Sequence, residues 1–371
     1  MANMLQHSFK NKALKGRYLS YETLIKVTRT WEASLVSSLK GSSVMGLLIP
    51  TYRFGTGQKK VLMWSQMHGN ESTTTKALID FVLFLQSKDP KAIDLLGAIE
   101  FTIIPMLNPD GANAYTRVNA NAVDLNRDFS ALSQPESQFL MQVFNEVQPH
   151  FCFNLHDQRT IFSVGETEFP ATLSFLAPAA EPSRSITASR KLSMQLIAAI
   201  NKTLQLVIPG HIGRYDDTYN EQCAGDHFQS LAVPTLLFEA GHHALDYDRE
   251  NTRAFVLEAL LAAFQAVATN SFKEHSIDDY ERIPENQKNH IDLLVQNAQL
   301  VNPDVSVEKS LAFQYEEQLE GGKITFKPKT INLEVGQTYY FHEMIDFSNS
   351  TQQEQAVVSQ KIRRFIKALS N

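Results

Sequence analysis

Short apolar runs alternate with helical patterns along most of the chain. Residues 21–39 carry apolar side chains at helical spacing, and residues 44–54 are extended and apolar. The later apolar runs, each bounded by polar or turn residues, are 61–64, 101–105, 151–155 and 235–238. The helical patterns beside them are 73–85, 136–147, 191–206 and 251–267. Because strands that alternate with helices form sheets covered on both faces, we expect an α/β domain with a mostly parallel central sheet.

The pattern changes after the last of these helices. Residues 276–288 are polar and charged and contain Pro284, which favours a boundary there. Beyond it, apolar residues recur at every second position at 324 and 326 and again at 331, 333 and 335, which is typical of antiparallel strands. Residues 352–369 carry a final helical pattern. We therefore predict a main α/β domain with an N-terminal helical lead-in over residues 1–272 and a small β-rich extension with a final helix over residues 273–371.

Composition narrows the possible functions. The 371 residues, 43% hydrophobic, carry a net charge of −6 without long single-sign blocks, which disfavours a nucleic-acid partner. No apolar run approaches the roughly 20 residues of a membrane span, and the first 18 residues lack the apolar core of a signal peptide. Only Cys152 and Cys223 are present, so a disulfide framework is not expected. These features predict a soluble cytoplasmic protein with no membrane partner.

Chemistry-bearing residues follow several of the predicted strands. His68 and Glu71 follow run 61–64, His156 follows run 151–155, and Glu239 follows run 235–238. An Asn-Pro-Asp-Gly turn at 108–111 follows run 101–105. Because ligands of open α/β sheets bind at the carboxyl ends of the strands, we expect all of these residues at one edge.

Two imidazoles and one carboxylate make a catalytic zinc site. His68, Glu71 and His156 would leave one position of a single zinc ion open to a water, which zinc makes acidic near neutral pH. Glu239 would then act as general base and pass the proton to the departing amine, without a covalent intermediate. A lone His-x-x-Glu pair arises often by chance, but its position beside the other strand ends favours the metal interpretation.

The loop after residue 111 supplies two arginines. Arg127, with Asn126 beside it, is suited to bind a substrate carboxylate, because guanidinium and carboxylate pair through two parallel hydrogen bonds. Arg117 could stabilise the oxyanion of the scissile carbonyl. The alternative is that Arg127 only pairs with Asp124 or Asp128 inside the loop.

These motifs resemble the ordered set of the zinc carboxypeptidase family, over about residues 44–268. The matching segments are His68-x-x-Glu71, Asn-Pro-Asp-Gly at 108–111, Asp-Leu-Asn-Arg-Asp-Phe at 124–129, Asn-Leu-His at 154–156 and Phe-Glu at 238–239. The resemblance implies a three-layer α/β sandwich and one zinc ion per chain. It also implies zinc ligands at His68, Glu71 and His156, a general base at Glu239, carboxylate binding by Asn126 and Arg127, and Arg117 at the scissile carbonyl.

Two departures keep alternatives open. Asn70 stands where digestive members carry arginine, a form similar to the aspartoacylase and succinylglutamate desuccinylase relatives. A metallocarboxypeptidase is favoured, with an N-acyl amino-acid deacylase, a murein-peptide amidase and an inactive binding protein as alternatives. The substrate would be a peptide or acyl-amino acid with a free carboxylate.

The second departure concerns the mobile tyrosine that covers the substrate in family members. Tyr215 and Tyr219 both lie in a suitable loop, and we favour Tyr219. Residues 223–227 offer no decisive charge for side-chain selection. The sequence specifies no oligomeric state.

Overall fold

The computed structural model describes residues 9–36, 39–300, 310–334 and 336–348. The helix predicted for residues 352–369 lies outside these ranges, as does Val335. That helix therefore stays a prediction.

A seven-stranded mixed sheet forms the centre of the larger unit. The strands of the described chain are β1 (Gly41–Ser42), β2 (Leu48–Ile49), β3 (Tyr52–Phe54), β4 (Lys59–Ser65), β5 (Ile99–Ile104), β6 (Phe151–Asp157), β7 (Phe162–Val164), β8 (Leu173–Leu176), β9 (Ile212–Arg214), β10 (Thr235–Ala240), β11 (Asn286–Lys288), β12 (His290–Gln296), β13 (Leu311–Glu320), β14 (Lys323–Ile331) and β15 (Tyr340–Asp346). The order across the central sheet is β3-β5-β4-β6-β10-β8-β9. Its middle strands β5, β4, β6 and β10 are parallel, whereas β3 and β8 join antiparallel to β5 and β10.

Helices cover both faces of this sheet. They are α1 (Tyr21–Thr28), α2 (Thr73–Leu85), α3 (Pro90–Ala98), α4 (Pro109–Ala114), α5 (Pro135–Val147), α6 (Ala188–Leu204), α7 (Ala224–Ser230), α8 (Glu250–Thr269) and α9 (Ile277–Glu281). Alternate residues of β4 enter different cores: Val61 and Met63 join the core formed with α2, α6 and α8, and Leu62 and Trp64 join the core formed with α5 and α7. The predicted three-layer α/β sandwich with a mostly parallel sheet is confirmed.

Helix α8 is apolar and long enough to cross a membrane by length and composition alone. Its residues Val256, Leu260 and Phe264 are instead buried in the larger core, where α8 contacts α2 and α6. It is therefore a core helix of the α/β unit.

The predicted helix over residues 21–39 is wrong in its second half. Helix α1 ends at Thr28, and a 3-10 turn follows over Arg29–Ser34. Leu35 then bridges to Tyr52, and the backbone N–H of Val36 donates to the carbonyl of Thr51 at 2.9 Å. Strand-like pairing with residues 51–52 replaces the helix that local periodicity predicts.

The region after α9 forms a second, smaller sheet with the order β14-β13-β12-β15. It encloses a small core of its own, formed by Leu293, Val295, Ala298, Phe313 and Phe347. The residues between α8 and this small sheet belong with the larger unit. Tyr280 and Ile283 are buried in the core of the larger unit, and β11 pairs with β7. A division at 272–273 stays a prediction, but the β-rich character of the extension is evident.

Candidate metal centre and active site

The carboxyl ends of β4, β6 and β10 bring the predicted ligands and base together. His68 and Glu71 lie in the turn between β4 and α2, whereas His156 and Glu239 are the next-to-last residues of β6 and β10. Both strands extend beyond the predicted runs because their ladder continues to Asp157 and Ala240. The parallel register pairs Glu239 directly with His156, so their side chains leave the same face of the sheet.

Three of these side chains form a buried cluster that could hold a metal ion. The donor atoms of His68, Glu71 and His156 all lie within 4.8 Å of one another. Nδ1 of His68 lies 2.7 Å from Oε1 of Glu71, Nδ1 of His156 lies 2.8 Å from Oε2, and the two Nδ1 atoms are 3.1 Å apart. Tetrahedral zinc with bonds of about 2.0–2.2 Å separates neighbouring ligand atoms by about 3.3 Å. The donor set therefore fits one zinc ion after small displacements.

Asp124 determines which nitrogen of His68 can bind a metal. Its Oδ1 lies 3.0 Å from Nε2 of His68. Burial raises the pKa of Asp124, but the hydrogen bond from His68 and the guanidinium of Arg117 outweigh burial and hold that pKa below its usual range. The ionised carboxylate can only accept, so Nε2 carries a proton and Nδ1 is left for a metal. The sequence interpretation missed this role of Asp124.

Glu239 is the free carboxylate of the site. Within the described part of the chain its side-chain carboxylate takes part in no hydrogen bond or ion pair, although it lines the cleft beside the metal cluster. Burial raises the pKa of Glu239 well above its usual value, and the negative charges of Glu71 and Asp157 raise it further. A carboxylate with a raised pKa and no competing donor is suited to accept a proton.

Arg117 reaches the metal cluster from the loop after α4. Its Nη1 lies 3.4 Å from Oε1 of Glu71, and its Nε lies 3.0 Å from Oδ2 of Asp124. The side chain is 48% exposed, so part of the guanidinium faces the open cleft. Arg117 therefore lies beside the metal-binding cluster, and its role at the scissile carbonyl stays a prediction.

Asn126 and Arg127 lie together at another part of the cleft wall. Oδ1 of Asn126 accepts from the backbone N–H of Ala224 at 3.0 Å, and Nη1 of Arg127 lies 3.1 Å from Sγ of Cys223. Neither aspartate of the loop pairs with Arg127. Asp124 binds His68 and Arg117, as described above, while the carboxylate of Asp128 accepts from Ser133 and Gln134. The alternative of an internal loop pair is therefore not what the geometry shows.

The two candidate tyrosines have different surroundings, although both line the cleft. Burial raises the pKa of Tyr215, and the nearby charges of Glu239 and Glu71 raise it further. Burial also raises the pKa of Tyr219, with Glu221 and Asp226 as the contributing charges. Tyr215 thus lies close enough to Glu239 and Glu71 for their charges to affect its pKa. The preference for Tyr219 stays a prediction.

Residues 223–227 carry a charge that the sequence interpretation discounted. Asp226 of α7 is 8% exposed, lines the cleft, and accepts from the backbone N–H of Asn220 at 3.2 Å. Burial raises the pKa of Asp226 to about 6. The fold thus places a carboxylate in this part of the cleft wall, although the absence of a decisive charge for side-chain selection stays a prediction.

Comparisons with known proteins identify the family resemblance independently. A family model described as zinc carboxypeptidase matches residues 12–151, a segment that contains His68, Glu71 and Arg127 and ends before His156 and Glu239. Probable carboxypeptidase 2 of Trichophyton verrucosum is 27% identical over 114 residues, which are 30% of this chain and 21% of that protein. Carboxypeptidase SOL1 of Arabidopsis thaliana is 32% identical over 103 residues, which are 24% of this chain and 21% of the relative. The matched part of this chain therefore spans about a fifth of the length of these relatives.

The fold agrees with the sequence matches. A metallo-carboxypeptidase from Burkholderia cenocepacia superposes with a TM-score of 0.54 at 19% identity, covering 69% of this chain and 70% of that one. At that identity the likeness concerns the fold. The large α/β unit of this chain therefore resembles the zinc carboxypeptidases in the segment 12–151 that the family model matches, in its fold and in a His-Glu-His cluster able to hold a metal ion.

Proposed function

We propose that this protein is a zinc-dependent metallocarboxypeptidase, which releases the C-terminal residue of a peptide by hydrolysing its amide bond. The observation that carries the proposal is the pairing of Glu239 with His156 in register. It sets an unpaired carboxylate beside three side chains that together suit one zinc ion.

The chemistry divides between a metal and the protein. Zinc held by His68, Glu71 and His156 would supply a Lewis acid that polarises a carbonyl oxygen and lowers the pKa of water. Glu239 would take a proton from the attacking water and transfer it to the amide nitrogen as the carbon–nitrogen bond breaks. The products are a free amine and a new carboxylate, and no group of the protein becomes covalently attached.

Positioning would come from the arginine loop. Since Oδ1 of Asn126 is engaged by Ala224, its amide NH₂ is left to donate to a substrate carboxylate. Arg127 beside it can form the bidentate pair with that carboxylate. Arg117 would donate to the carbonyl oxygen as negative charge develops there.

A substrate panel tests the proposal. The zinc-loaded protein should cleave an N-blocked dipeptide with a free carboxylate and fail on the same dipeptide as its C-terminal amide, which cannot pair with Arg127. Chelation should abolish activity and zinc should restore it. No cleavage of the free-carboxylate peptide under any zinc loading would overturn the proposal.

The same panel separates the alternative hydrolases. A cleft of about 950 Å³ is larger than a short acyl group requires, which favours a peptide over an acyl-amino acid. Exclusive activity on acetyl- or succinyl-amino acids would support the deacylase. Exclusive activity on murein peptides would support the amidase.

A further inference from the structure

The small C-terminal sheet forms part of the wall of the same cleft that contains the metal cluster. Residues from the region after α9 that line this cleft are Lys288, Asp292, Gln314, Tyr315, Glu316, Glu317, Gln318 and Phe326. Most of them belong to the β13–β14 hairpin, in which Glu317 pairs with Phe326 and Tyr315 with Pro328. The cleft is therefore shared between the two units.

A largely buried ion pair fixes the hairpin at the rim of the cleft. Oε1 of Glu317 lies 2.8 Å from Nη1 of Arg17, and the Arg17 side chain is only 4% exposed. The hydroxyl of Tyr115 donates to the other carboxylate oxygen of Glu317. Arg17 belongs to the N-terminal segment, and Tyr115 follows α4 in the loop that carries Arg117. The hairpin is thus attached to the substrate-binding loop itself.

A second polar connection joins the sheet to the segment that follows the His156 strand β6. Asp292 of β12 is fully buried and accepts from the hydroxyls of Thr160 at 3.2 Å and Tyr247 at 3.0 Å. It also accepts from the backbone N–H of Tyr315 at 2.7 Å. Thr160 lies shortly after β6, so the sheet is held close to the metal cluster.

Aromatic contacts support the same arrangement. The ring of Tyr247 lies 5.2 Å from that of Tyr315 and 5.3 Å from that of Phe326. The Glu317 and Asp292 contacts add directional restraints to this packing, because each carboxylate would lose its partners if the hairpin moved. The hairpin is therefore held in one defined position.

The hairpin and the carboxylate-binding residues have different neighbours. Arg127 and Asn126 contact Cys223 and Ala224, whereas the hairpin contacts Arg17 and Tyr115. Arg127, the metal cluster and the hairpin all line one cleft. A peptide with its carboxylate at Arg127 and its scissile carbonyl at the metal cluster would therefore have the hairpin as one of the walls left for its upstream residues.

We propose that the β13–β14 hairpin is a length filter, which admits short peptides and excludes long chains and the C-termini of folded proteins. This inference rests on the proposed carboxypeptidase function. Clefts of about 300–1,000 Å³ enclose ligands of drug size, so the volume of about 950 Å³ corresponds to a substrate of a few residues. Glu317 is a positioning residue in this scheme, since it acts by holding the hairpin.

A length series of substrates tests the filter. N-blocked peptides of two, four and eight residues with the same C-terminal residue should show kcat/KM falling at least tenfold from the shortest to the longest. Glu317→Ala should loosen the hairpin, which Asp292 and Tyr247 still hold in part, and should therefore bring the ratio between these two peptides toward one. Phe326→Ala is a second test, to be used if Glu317→Ala does not fold. It removes the contact with Tyr247 and should also bring the length ratio toward one.

Lys327→Ala is the matched control, because Lys327 pairs with Glu320 on the same hairpin, is half-exposed and does not line the cleft. Its length ratio should equal that of the wild type. Equal cleavage of all lengths by the wild type, or an unchanged ratio in folded Glu317→Ala and Phe326→Ala proteins, would overturn the filter.

Binding separates this inference from the proposed activity. Calorimetric titration of zinc-loaded Glu239→Gln protein with the same peptides measures length selection without cleavage, and the octapeptide should bind at least tenfold more weakly than the dipeptide. Length-dependent binding without cleavage by the wild type would refute the peptidase and keep the filter. Length-independent binding would refute the filter alone.

Discussion

Asp124→Asn tests how much the hydrogen bond between Asp124 and His68 contributes to zinc affinity. Oδ1 of Asp124 receives the N–H groups of His68 at 3.0 Å and of the Asn126 backbone at 2.9 Å, whereas Oδ2 receives Nε of Arg117 at 3.0 Å. The asparagine oxygen will take the first position, because the opposite orientation would set its NH₂ against two donors. His68 then keeps a neutral hydrogen-bond acceptor. Nε of Arg117 loses the acceptor Oδ2, because the asparagine NH₂ takes its place.

The size of the effect follows from this orientation. Loss of a partner of a metal-binding histidine typically costs about 10- to 100-fold in metal affinity. Because the hydrogen bond of His68 survives without its charge, we expect about tenfold for Asp124→Asn, or about 1.4 kcal/mol, and about a hundredfold for Asp124→Ala. Competition with a zinc chelator of known affinity measures both.

Asp128→Asn is the matched control for that measurement. Asp128 lies in the same loop and accepts three hydrogen bonds from Ser133 and Gln134, but it does not contact His68. Its substitution should lower the free energy of unfolding and leave zinc affinity within twofold of the wild type. Unchanged zinc affinity in Asp124→Ala, with the protein folded, would refute the role given to Asp124.

Much of the fold is encoded in local patterns. Strands buried on both faces need continuous apolar runs, which is why residues 61–64 and 151–155 predict the central strands β4 and β6. Helix α2 has the predicted bounds, Thr73–Leu85. Strands β8 and β9 were missed, because each is short and depends on pairing with β10 or with each other. Long-range pairing of this kind leaves little trace in local periodicity.

Some residues of the site could likewise be predicted from local sequence patterns, whereas others depend on contacts between distant parts of the chain. His68, Glu71, His156 and Glu239 could be predicted because each lies at or near a strand end, and strand ends of parallel sheets converge. The contact of Asp124 with His68 joins residues 56 positions apart, and that of Tyr115 with Glu317 joins residues 202 apart. No spacing rule connects these residues, so the hydrogen bond between Asp124 and His68 and the cleft wall formed by the hairpin could be found only from the structure.

Three further substitutions test the site. Glu239→Gln should retain zinc and lower kcat by about a hundredfold or more, the usual scale for a positioned general base, and near-normal turnover would contradict that role. Arg127→Lys keeps the charge but removes the planar fork, so kcat/KM should fall with zinc retained, and an unchanged value would argue against carboxylate binding there. Asp226→Asn tests the buried carboxylate, whose pKa burial raises to about 6. The folded protein binds this proton more tightly than the unfolded chain, where the carboxyl titrates near 3.9, so the wild type loses stability as pH rises from about 4 to about 6. Asp226→Asn should therefore be more stable than the wild type at pH 7.5, by at most about 3 kcal/mol, and the advantage should shrink at pH 4. Urea unfolding at both pH values measures the difference, and a gap that does not depend on pH would show that Asp226 has no raised pKa in the folded protein.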